Sequence, residues 1–81
     1  MSPGKLPTVS GLELIKFFTS EFGCSVTPGK GSHVLVKGTI KGRFVAFPIP
    51  LHHELSIGVL LACLRESGVS REELLRYFRK K

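Results

Sequence analysis

"CSVTPGKGSHVLVKGTIKGRFVAFPI", residues 24–49, decides the fold. "CSVT" is short and β-prone, and it runs into the turn "PGKG". "SHVLVK" reads as a second strand, "GTIKG" as a hairpin connection and "RFVAFPI" as the returning strand. Pro48 and Pro50 cannot donate to a strand ladder, so the third strand ends there or lies at a sheet edge. Val34, Leu35 and Val36 are all apolar, so alternation alone does not fix which face of the second strand turns inward.

Helical signals flank the strands on both sides. Ser10 stands three residues before Glu13, the spacing of a capping box. Leu14, Ile15, Phe18 and Phe22 follow at helical intervals, predicting a helix over residues 11–22 that Gly23 stops. Past the strands, Ile57, Leu60, Leu61 and Leu64 fall at i, i+3, i+4 and i+7, an apolar stripe on a helix that begins near Ser56. Gly68 occupies the position that ends it. Ser70 and Glu73 repeat the capping spacing ahead of a short last helix with Leu74, Leu75 and Phe78. Residues 1–9, with Pro3, Gly4 and Pro7, read as a lead-in, and residues 10–81 as one domain. This order favours an α+β fold: a three-stranded antiparallel sheet with helices packed on one face. The other face, or a sheet edge, is left for a partner.

Composition narrows the chemistry. Eighty-one residues hold one modest core and no second lobe. Twelve Lys and Arg against six acids give a formal charge of +6, which favours a polyanionic partner such as nucleic acid. All six acids are Glu, and they do not cluster. Two-metal phosphodiester chemistry needs grouped carboxylates, so a metal-dependent nuclease is disfavoured and no metal or other cofactor is expected. Cys24 and Cys63 lie far apart, outside any Cys-x-x-Cys pair, which argues against zinc and against a disulfide scaffold. The first ten residues carry no hydrophobic signal region, and no apolar run approaches membrane-spanning length. The expectation is a cytoplasmic chain with no membrane partner.

His33 follows Gly29-Lys30-Gly31-Ser32 and heads the second strand. A lone histidine at a strand start is more often structural or merely exposed. Its neighbours favour more than that. The glycines let the backbone approach a ligand closely, the turn amides suit a phosphate, and Lys30 and Lys37 bring positive charge. Lys41 and Arg43 extend the candidate RNA-binding set of Lys30, Gly31, Ser32 and Lys37. Metal-free RNA cleavage needs a base for the ribose 2′-hydroxyl, an acid for the leaving oxygen and a cation for the charged transition state. The chain has three histidines, His33, His52 and His53, and His52 is the second candidate for proton transfer. A non-catalytic RNA-binding module of the same fold is the alternative, and a basic protein-interaction domain is a third reading.

Three stretches, "KLPTVSGLELIKFF", "KGSHVLV" and "PLHHELSIGVLLACLRESGVSREELLRYF", together resemble the HicA family of toxins from prokaryotic toxin–antitoxin pairs. The resemblance runs from about Lys5 to Phe78, and Gly31-Ser32-His33 is its most specific element. It implies a double-stranded-RNA-binding-domain-like α-β-β-β-α fold and an mRNA interferase, an endoribonuclease acting independently of the ribosome. It implies that His33 is catalytic, and that a HicB-type antitoxin binds and blocks the protein. The family's Pro-x-His segment can be registered on Pro50, which makes His52 its histidine and keeps the spacing to Gly58. Registered on Pro48, the same position falls on Pro50. Cys24 replaces the aromatic or aliphatic residue that often follows the first helix in the family.

Overall fold

The computed structural model describes residues 6–80. The first five residues of the predicted lead-in, and Lys81, lie outside the described residues. Helix α1 spans Gly11–Phe22, and strands β1 (Ser25–Pro28), β2 (His33–Ile40) and β3 (Arg43–Pro50) follow. Helices α2 (Ile57–Ser67) and α3 (Arg71–Lys80) complete the chain. The sheet is antiparallel in the order β1-β2-β3. The architecture is the expected α-β-β-β-α, with α3 as an added helix.

Local chemistry sets the helix ends. The Ser10 hydroxyl accepts the Glu13 amide at 3.1 Å, and the Glu13 carboxylate accepts the Ser10 amide at 2.9 Å. Gly23 closes α1 in the left-handed conformation. Ser56 caps α2, which Gly68 ends in the same conformation. Ser70 and Glu73 repeat the reciprocal cap on α3. Such a cap satisfies amides that would otherwise be left unpaired at the helix start.

Register resolves the face that alternation left open. Val34 pairs with Ile49, Val36 with Phe47 and Gly38 with Val45, so these residues share the inward face. Val36, Ile40, Phe47 and Ile49 meet Leu14, Phe17 and Phe18 of α1 in the core. His33, Leu35, Lys37 and Thr39 point to the other face, opposite Pro50, Pro48, Ala46 and Phe44.

The sheet continues through both prolines because β3 is an edge strand. The Leu51 amide donates to the Ser32 carbonyl at 2.8 Å. By alternation, the backbone positions of Pro48 and Pro50 therefore turn away from β2, where no ladder donor is needed. Helix α2 runs along this edge, and the Cys63 thiol donates to the Pro48 carbonyl at 3.9 Å.

That placement rotates the apolar stripe expected on α2. Leu60, Cys63 and Leu64 are buried, whereas Ile57 is 62% exposed and Leu61 38% exposed. The helix packs against both the core and the edge of β3, so its contact surface shifts towards Val59, Leu60, Cys63 and Leu64. Helix α3 is a full element rather than a short coda. Its Tyr77 ring meets Phe17 edge-on at 5.1 Å, and Phe78 stacks on Phe17 at 6.5 Å. The end of the lead-in is part of the body: Val9 is buried, and its carbonyl accepts the Leu55 amide at 2.8 Å.

Candidate functional site

His33 owes its placement to the turn before it. Its amide donates to the Lys30 carbonyl at 3.0 Å, and its carbonyl accepts the Gly29 amide at 3.0 Å. Between them Gly31 has a φ of +57°, a conformation that side chains with a Cβ resist. The His33 main chain is thus fixed on both sides while its imidazole stands exposed on the outward face. The amides of Gly31 and Ser32 make no hydrogen bond among the described residues, and both residues are exposed. Two consecutive free amides beside a lysine are an arrangement that accepts an anion.

The remaining candidate residues divide into two groups. Lys37 lies four residues along β2 from His33 and so on the same face, about 13 Å away along the strand. The Leu51–Ser32 hydrogen bond brings the segment after β3 beside the turn, so exposed His52 lies one residue past that contact. Its backbone is held there, because the His52 carbonyl accepts the Gly11 amide at 2.9 Å. A Cβ on Gly11 would come 2.1 Å from the Pro50 carbonyl oxygen, so only glycine permits this approach.

Lys41 and Arg43 sit at the far end of the β2–β3 hairpin, where Ile40 pairs with Arg43. Lys41 forms an ion pair with Glu73 at 2.6 Å. The Arg43 guanidinium donates to the Glu66 carbonyl at 3.3 Å, near the C-terminus of α2. Both have structural partners, and neither lies beside His33.

A cleft of about 240 Å³ opens next to His33. Pro48 and Pro50 form one wall; Val59, Cys63 and Glu66 of α2 form the other. Sequence reasoning passed over Glu66 and the cleft. The signal was present, because residues 59, 62, 63 and 66 share one helical face, but the face matters only once α2 is known to lie along β3. Burial, with a smaller contribution from the Glu66 charge, pushes the Cys63 thiol up to about 11. It therefore stays protonated near neutrality and is no nucleophile. A second cleft, between α1 and α3, is lined by Phe17, Glu21, Glu73, Arg76 and Tyr77 and holds no histidine. Among the described residues no three His, Cys or Glu side chains form a metal-holding group. No helix among them is long and apolar enough to cross a membrane.

The family model of the HicA toxin of bacterial toxin–antitoxin systems matches residues 11–69. The chain belongs to the HicA toxin family. The matched region takes in α1, the whole sheet and α2, and therefore the His33 turn and the cleft beside it. No curated protein and no solved structure matches the chain significantly. As a HicA-family toxin, it belongs to a kind of module in which a toxin has a cognate antitoxin.

Proposed function

We propose that this HicA-family toxin is a metal-independent endoribonuclease that cuts mRNA, with His33 in proton transfer. The observation that carries the reading is the His33 turn: an exposed imidazole on a fixed main chain, beside Lys30 and directly after two amides that have no partner among the described residues. A phosphate seated on the Gly31 and Ser32 amides would lie next to that ring. The ribose 2′-oxygen attacks the adjacent phosphorus, and its proton passes to a base. The bond to the 5′-oxygen breaks, and that oxygen takes a proton from an acid. The products are a 2′,3′-cyclic phosphate and a free 5′-hydroxyl. His33 serves one proton step, and His52 is the candidate for the other. Lys30 and Lys37 offset the charge that builds on phosphorus.

The physiological substrate on this reading is mRNA in the cytoplasm, and the cognate partner is a HicB-type antitoxin that covers the His33 face. The test is cleavage of a defined RNA by purified wild-type and His33→Ala protein, with circular dichroism on both. The variant is expected to fold and to lose about a hundredfold or more in rate. Full activity in a folded His33→Ala protein would overturn the assignment.

A further inference from the structure

The cleft beside His33 contains a carboxylate that the proposed cleavage chemistry does not use. Val59, Ala62, Cys63 and Glu66 line it at i, i+3, i+4 and i+7 on α2. Arg43 reaches the Glu66 carbonyl and Cys63 reaches the Pro48 carbonyl, so α2 runs antiparallel to β3. Val59 therefore lies at the Pro50–His33 end of the cleft and Glu66 at the other. Seven helical residues separate them by about 10 Å. A nucleotide has a similar span from its phosphate to the far edge of its base.

The Glu66 carboxylate is exposed and makes no hydrogen bond or ion pair with any described residue. Arg43 takes only its backbone carbonyl. A lone carboxylate at the end of the slot away from His33, with mostly apolar residues between, repels phosphate and accepts N–H groups. The slot is also smaller than the roughly 300–1,000 Å³ of pockets built for larger ligands, which suits a single base.

We propose that this cleft is a nucleobase subsite selective for guanine, with Glu66 as the residue that reads it. The base would lie between Pro48 and Pro50 on one side and the Val59–Ala62–Cys63 surface on the other. Base choice follows from donor patterns on the Watson–Crick edge. Guanine presents two adjacent donors, N1–H and the N2 amino group, which one carboxylate accepts together. Adenine and cytosine set a ring-nitrogen acceptor beside their single amino donor, and uracil sets a carbonyl on each side of its one N–H. Each of these faces Glu66 with a repelled acceptor. The inference rests on the ribonuclease reading in one respect only: it places the phosphate of the same nucleotide at His33.

Binding separates the two ideas, because it requires no turnover. The four ribonucleoside 3′-monophosphates are titrated into the purified chain and followed by amide chemical shifts. Guanosine 3′-monophosphate is expected to bind about tenfold or more tightly than the other three, and Glu66→Gln to remove that margin. Ala62→Leu, which fills the slot from α2, is expected to weaken the guanine nucleotide with Glu66 still in place. Equal affinity for all four nucleotides overturns the subsite, as does a guanine preference that survives Glu66→Gln. Unchanged affinity in Ala62→Leu also overturns it. A guanine preference in a chain that cuts no RNA supports the subsite and sinks the ribonuclease reading alone.

Discussion

Lys37 and Lys41 carry the same charge four residues apart, yet their surroundings predict opposite phenotypes. Lys37 shares the outward face with His33 and has no ion pair among the described residues, whereas the Lys41 ammonium holds the Glu73 carboxylate. Lys37→Ala is expected to weaken RNA binding uniformly across sequences and to lower the salt-dependence slope by about one counterion. Lys41→Ala is expected to leave that slope unchanged and to cost less than about 1 kcal/mol of stability, since half of the Lys41 side chain is in solvent. Affinity titrations at several salt concentrations, paired with urea melts, separate the two. The sequence made both lysines look equivalent, because charge is legible from composition and partners are not. Arg43 shows the same blind spot: its charge is legible in the sequence, and its contact with the Glu66 carbonyl at the end of α2 is not. The turn that carries His33 was legible because its signal is local, a histidine directly after Gly29-Lys30-Gly31-Ser32.

The elements were the most legible scale, because their boundaries are written in short-range chemistry. Both capping boxes and both left-handed glycine ends lie where the spacing placed them. The rotation of the α2 stripe was hidden, since periodicity fixes a face but not the number of surfaces packed against it. Ser70→Ala is expected to destabilise the fold by about 1 kcal/mol, read by denaturant melts. The hydrogen bond from Lys41, and then that from the Ser70 amide, hold the Glu73 carboxyl below its usual 4.5. A depressed acid contributes stability above its unfolded value and loses it as pH falls through the folded value. The stability gap between wild type and Glu73→Gln is therefore present at neutrality and closes in acid below 4.5. A gap that stays constant into acid would show that Glu73 acts without its charge. Gly11→Ala is expected to be more damaging than either change, costing about 1–3 kcal/mol or more, because its Cβ meets backbone that cannot rotate away.

At the scale of the whole molecule, one face of the sheet is packed and the other carries the candidate chemistry. An antitoxin that blocks the site directly must therefore cover residues 29–37. Amide exchange on the complex is expected to show protection there. Protection confined to α2, with that segment still open, would rule out steric blocking. Cleavage is expected to persist in excess EDTA and to leave 2′,3′-cyclic ends, and rescue of a chelated enzyme by magnesium would overturn the metal-free route. The prolines of the sheet have a further consequence for molecules left without a partner. Pro48 and Pro50 remove two donors from the outer rim of β3, and α2 lies along it. On the opposite rim, the four-residue β1 ends in Pro28, whose nitrogen also faces outward by the pairing alternation. Neither rim offers the long row of free amides that templates fibril growth. Surplus chain thus has no ready route to removing itself by stacking rim to rim.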